Sequence, residues 1–308
     1  MTLLKDNLTK LFDKYAKSDN ESVSKIASRG FVYSEIDPNK KILFIGINPS
    51  FPKDSDPKIK DFSYNPIEAV TGYASHYKRF QDLADSCECN IGSDWTYMDL
   101  LFLRETDQKN VTALLKHQLG TSFICDQLKL SMELLEKGLH PKLIIVCNSG
   151  AGQFLGIDKI QGKDGKYFNV WMGYEFEFDE KFGVHVITGI CNESISEVKT
   201  KNLIGTPVLF TSSLTYMHTW TNKRLAWQIR KILKFHDIFF GLNYNSDNRL
   251  KILLRQLENL TEQLEQTKKL KIAEVAGQDY IQASELRDVE LSETKKIVEY
   301  ILSVLLSS

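Results

Sequence analysis

Little in this chain suits a membrane span, a disulfide scaffold or a zinc cluster. No run of eighteen apolar residues occurs, and Lys and Asp break up the opening stretch MTLLKDNLTKLFDKYAKSD every few positions, so neither a spanning helix nor a signal-peptide core is expected. Cysteines are few, namely Cys87, Cys89, Cys125, Cys147 and Cys191; they are odd in number and lack paired CxxC spacing, so buried thiols are expected rather than metal ligands. Charge of one sign is also missing. With 39 Lys+Arg against 40 Asp+Glu the chain is near neutral, which excludes holding nucleic acid by bulk charge alone. A cytoplasmic protein with no metal, no cofactor and no membrane partner is the expectation.

What is present is apolar patterning over 308 residues, enough for a sizeable core. Leu4, Leu8, Leu11, Phe12 and Tyr15 recur at helical spacing near the start, and residues 1–34 read as an N-terminal helical cap. Ile42 to Ile45 reads as a buried strand, Tyr73, Tyr77, Phe80 and Leu83 as a helical stripe, and Trp95 to Leu103 as a second strand. A helix from Ser122 to Lys137, stopped by Gly138 and Pro141, precedes the β-branched strand KLIIVCN. SGAGQFLG opens another helix, YEFEFDEKFGVHVITGI reads as a hairpin, TPVLFTSS as a last strand, and Lys223 to Lys234 as a last helix. This order predicts an α/β domain over residues 35–239, a three-layer α/β/α sandwich with a mostly parallel central sheet.

Residues 240–308 change character. Leu250, Leu253, Leu257, Leu260 and Leu264 step by three and four, as in a coiled-coil seam, and a second helix follows Gly277. A C-terminal α-helical hairpin or coiled coil is expected, with a protein partner or self-association through residues 250–305; a longer helix packed on its own domain is the alternative.

Polar turns follow the strands. Gly46-Ile47-Asn48-Pro49-Ser50 ends the first, Asp99 lies in the second, Asn148-Ser149-Gly150-Ala151-Gly152 follows the third, and Phe210-Thr211-Ser212-Ser213-Leu214-Thr215 ends the last. In an open α/β sheet such strand mouths bind ligands. These four segments, in this order, resemble the uracil-DNA glycosylase superfamily over about Lys40 to Phe235. GINPS fits its G-x-(D/N)-P-x motif, closest to the mismatch-type branch. The strand with Asp99 matches the one that carries a base-reading Asn, the Gly-Ala turn matches the third element, and FTSSLT resembles the ending H-P-S-x-L-S.

The resemblance implies a DNA-repair-like hydrolase that flips a damaged or mispaired base and cleaves its N-glycosidic bond. Asn48 would position the water, since an amide holds water without taking its proton; a turn residue bonding its own backbone is the other reading. Ser212 and Ser213 stand where relatives carry His and offer neutral donors to the base oxygen. Gly46 gives room, and Ser50 is small where the uracil-selective branch has an aromatic. Phe51, Phe62 and Tyr64 are candidates to stack on the base. Asp99 departs from the family: an ionised Asp repels uracil O4 and attracts an exocyclic amine, unless burial protonates it, or it has ceased to read a base, or it caps a helix. A binding module without catalysis is the rival reading.

Val198 to His236 carries seven basic residues and no acidic one. Lys223 and Arg224, just past the last motif, and Ser149 are the candidate DNA-backbone contacts, so DNA is the expected partner. KIAEVAGQDYIQASELRDVE is similar to the UVR motif through Gln278-Asp279-Tyr280, Ala283 and Leu286-Arg287-Asp288, which implies a docking or dimerising element.

Overall fold

A computed structural model describes residues 2–56, 59–72, 74–87, 92–157, 159–161, 167–169, 171–192, 194–195, 202–214, 217–239, 248–277 and 280–306. Tyr73, Cys89, Thr215, Tyr216, Gln278 and Asp279 lie outside the described residues. The chain divides into two compact units, Met1–Tyr244 and Asn245–Ser308.

Unit 1 contains the helices α1 (Thr2–Ala16), α2 (Glu21–Ala27), α3 (Ala69–Gly72), α4 (Ala74–Ser86), α5 (Gln108–Leu114), α6 (Gln118–Gly138), α7 (Ser149–Leu155) and α8 (Thr219–Phe239). Its strands are β1 (Val32–Ser34), β2 (Ile42–Gly46), β3 (Phe62–Tyr64), β4 (Trp95–Asp99), β5 (Leu143–Val146), β6 (Lys159–Gln161), β7 (Tyr167–Asn169), β8 (Tyr174–Asp179), β9 (Val184–Ile190) and β10 (Pro207–Phe210). The principal sheet has the order β4-β2-β5-β10-β9-β8; β1 pairs with β3, and β6 with β7, as separate ribbons.

Alternation along the strands divides the core in two. Ile42 and Phe44 of β2 face α4 and α8 through Phe80, Leu83, Leu225, Ile229 and Ile232, whereas Leu43 and Ile45 face α1 and α6 through Leu8, Phe12, Phe123, Ile124 and Leu128. The central strands are apolar on both faces because helices cover both. Each of these side chains contributes about 1.5–3 kcal/mol by leaving water.

The expectation of a mostly parallel sheet needs correction: the sheet is mixed. β4, β2, β5 and β10 run parallel, but β9 and β8 are antiparallel additions. The reason is local. A tight turn with Gly183 at φ +63 folds β8 back on β9, and β9 then pairs directly with β10 through Pro207↔Val186.

The strand expected from Trp95 to Leu103 ends at Asp99. Beyond it, Phe102 and Leu103 donate their amides to Gln127 Oε1, both at 2.9 Å, while Leu100 to Leu103 stay buried. The apolar run therefore continues because the segment is enclosed, although it has left the sheet.

In unit 2, α9 (Asn248–Ala276) and α10 (Tyr280–Leu306) pack against each other. The less exposed positions Leu260, Leu264, Thr267, Lys271 and Glu274 meet Ala283, Leu286, Glu290, Glu293 and Ile297, a three-four alternation on both helices, with an ion pair between Lys271 and Glu290 in the middle. No described helix is long and apolar enough to cross a membrane.

Candidate functional site

The parallel half of the sheet places its C-terminal strand ends side by side. Gly46 and Asp99 are register partners, and the turn after β2 stays bonded to the segment after β4: Leu100 donates to the Gly46 carbonyl, Leu101 to Ile47 and Glu105 to Pro49 at 2.8–3.1 Å. On the other side, Cys147 donates to the Ile45 carbonyl and Thr211 to Val146, both at 2.9 Å. Four turns thereby converge on a cavity of about 620 Å³ lined by residues of all four, among them Gly46, Asn48, Asp99, Asn148 and Ser213.

Asp99 is 8% exposed and accepts a hydrogen bond from the Tyr97 hydroxyl at 2.7 Å. Burial pushes its carboxyl up to about 7, against the Tyr97 hydrogen bond, which pulls it down. The group thus stands close to half-protonated at neutrality, able to accept or to donate. Burial first, and then the Asp99 charge, raise the Tyr97 and Tyr64 hydroxyls, which stay protonated. Tyr77 donates to the Tyr64 hydroxyl at 2.6 Å, and its ring meets that of Tyr97 edge-on at 5.6 Å. His76, between Phe80 and Tyr97, is held below the ordinary histidine value by burial and then by Arg79. The cavity wall is therefore aromatic, with one ionisable carboxyl at its apolar end.

Asn48 is built in firmly. Its Nδ2 donates to the Pro49 carbonyl at 2.9 Å and to the Glu105 carbonyl at 2.7 Å, and its Oδ1 accepts from Gln108 Nε2 at 2.8 Å. Two carbonyls fix which end of the Asn48 amide donates, so Gln108 has to present its own NH2 group. Gln108 Oε1 is consequently buried with no hydrogen-bond partner among the described residues. Both Asn48 and Gln108 line the cavity. Asn48 retains one lone pair on Oδ1 and no spare N–H.

Of the residues singled out from the sequence, Gly46, Asn48, Ser50, Phe62, Tyr64, Asp99 and Ser213 line this cavity. Ser212 does not: it is exposed, and its neighbour Ser213 takes the inward position. Phe51 does not either. Its ring lies between two guanidiniums, Arg29 at 4.8 Å and Arg104 at 4.9 Å, and is committed to them. Ser149, Lys223 and Arg224 are exposed and lie outside the cavity lining, at the first turn of α7 and on the outer face of α8. Asn148, not Ser149, makes the local contact, accepting the Gly150 amide at 2.8 Å as the helix cap. Asp99 does not act as a helix cap, since the next helix begins at Gln108 and is capped by Asp107.

Tyr97, Gln108, His76, Tyr77 and Arg79 also line the cavity and carry no motif. Tyr97 alone was findable, because it lies two residues before Asp99 and so shares its face of β4. No group of three or more His, Cys, Asp or Glu side chains among the described residues is arranged to hold a metal ion. Comparison with protein-family models, curated proteins and solved structures returns no match for this chain.

Proposed function

We propose that unit 1 receives a nucleobase turned out of a DNA strand and hydrolyses its N-glycosidic bond. The observation that carries this reading is the meeting of Gly46 and Asn48 with Asp99 in one aromatic-walled cavity at the strand ends, the arrangement implied by the resemblance to uracil-DNA glycosylases. An extruded base is held by stacking and by its polar edge, and Tyr64, Tyr77 and Tyr97 with Asp99 offer both. In the reaction the water oxygen bonds to the anomeric carbon, the C–N electron pair leaves with the base, and one water proton is released. Asn48 Oδ1 orients that water through its remaining lone pair. Asp99, poised near neutrality, in its protonated form hydrogen-bonds or gives a proton to the departing base.

A second reading is favoured by one specific feature. Both Asn48 N–H groups are spent on the Pro49 and Glu105 carbonyls, so the side chain that would grip the water is mostly structural. In that reading the cavity binds a base without cleaving it.

The test is an oligonucleotide panel carrying uracil, thymine mispairs, hypoxanthine, xanthine and methylated bases, assayed for both abasic product and retention. Product from any member supports hydrolysis. Retention without product transfers the case to the binding reading, and neither result on any member removes the nucleobase.

Unit 2 completes the proposal as a docking element for a protein partner or a second copy, as its similarity to the UVR motif implies. An unchanged oligomeric state and partner capture after truncation at Tyr244 would remove this claim. A cytoplasmic setting belongs to the same reading, supported by Cys87, Cys125, Cys147 and Cys191 being free thiols.

A further inference from the structure

Helix α8 has a solvent face that its packing does not explain. Leu225, Ile229 and Ile232 anchor the helix in the core, and Ala226 and His236 are buried with them. At 100° per residue the opposite sector collects Trp220, Lys223, Arg224, Trp227, Lys231 and Lys234 within about a third of a turn. Trp220 is 67% exposed and Trp227 49%, although indoles are the side chains that gain most from burial. The cations alternate with them along the stripe, and no acidic residue occurs from Val198 to His236. Lys231 Nζ lies 5.2 Å over the Trp227 ring and donates to the Lys181 carbonyl at 2.9 Å, which holds that indole's orientation.

We propose that this face of α8 binds single-stranded nucleic acid, bases stacking on Trp220 and Trp227 and phosphates lying along Lys223, Arg224 and Lys234. Planar π-faces interleaved with fixed cations are what a strand with unpaired bases needs, since every base has a π-face and every link a charge. The two indoles are seven residues apart, about 10 Å along the helix axis, a span that a short stretch of strand covers. The helix starts at Thr219, five residues after Leu214 in the cavity lining, so the face continues from the cavity's rim. The inference rests on the nucleobase reading only for its choice of a nucleic acid over an anionic lipid surface, which would also accept Trp and Lys.

The test uses the full chain and fluorescein-labelled oligothymidine, followed by anisotropy over a salt series. Trp220→Ala with Trp227→Ala is expected to weaken binding tenfold or more with the salt slope retained. Lys223→Ala with Arg224→Ala is expected to lower the salt slope by about two. Trp220→Ala alone, at the most exposed position, serves should the pair unfold, as judged by circular dichroism. Wild-type affinity in the tryptophan variants overturns the proposal. So does tight binding to phosphatidylserine vesicles with no binding to oligothymidine. Oligothymidine binding that depends on the tryptophans, together with no abasic product from any lesion, keeps this inference and removes hydrolysis.

Discussion

Gly46 and Asp99 face each other across the β2–β4 pair with no space between them for a side chain: a Cβ on Gly46 would lie 2.3 Å from Asp99 Oδ1 and 2.0 Å from the Tyr97 hydroxyl. The glycine is therefore required by close approach, and the carboxyl occupies the place its side chain would take. Gly46→Ala is expected to destabilise unit 1 by about 1–3 kcal/mol through overpacking and to abolish base binding. Urea denaturation and oligonucleotide retention check the two effects separately.

Asp99 gives the protein a pH signature. Its folded pKa of about 7 lies above the ordinary carboxylate value, so the folded state holds a proton that the unfolded chain releases from about pH 4 upward. Stability from this group is present below pH 4, falls as pH rises from 4 to 7, and is level above. The total is on the order of 4 kcal/mol. Asp99→Asn is expected to flatten that interval and to raise the melting temperature at pH 8, because no buried carboxylate remains. A melting series from pH 4 to 8 in both proteins decides it.

The same substitution bears on base choice. Asn offers a donor and an acceptor to a uracil edge, whereas the ionised Asp offers acceptors only. Asp99→Asn is expected to increase retention of uracil-containing oligonucleotides at pH 8 severalfold. Equal retention by both proteins would mean that Asp99 does not touch the base.

Asn48→Ala leaves the Pro49 and Glu105 carbonyls and Gln108 Nε2 without their partner. A loss of about 1–3 kcal/mol is expected for stranding buried polar groups. If hydrolysis is the function, product formation falls by more than the retained folded fraction accounts for. Parallel measurement of melting and turnover separates the two contributions.

Phe51→Ala is expected to lower stability by about 1–3 kcal/mol through loss of the Arg29 and Arg104 stacks, with base binding unchanged. Weaker binding at full stability would return the ring to the base.

The sequence carried the strands and the two long C-terminal helices, because apolar periodicity reports burial directly. It carried Gly46, Asn48 and Asp99 because each ends a strand whose alternation is readable. The antiparallel edge was legible only as a hairpin, since nothing in Tyr174 to Ile190 says which strand it will join. Phe51 was misplaced for a related reason: an aromatic after a strand promises a stack, and only the fold brings Arg29 and Arg104 to it from distant segments. Gln108 had no signal, because its part depends on the amide orientation of a residue sixty positions away.

The Asn48 clasp has a consequence for how the cavity works. With its amide bonded to the turn after β2, to the segment after β4 and to α5, the mouth is preorganised before any ligand arrives. Little ordering entropy remains to be lost on binding, so discrimination among bases is expressed as steric rejection at a stiff rim rather than as closure around the right one. The lone acceptor left on Gln108 gives that rim a polarity: an incoming group with a donor satisfies it, and one without leaves it stranded.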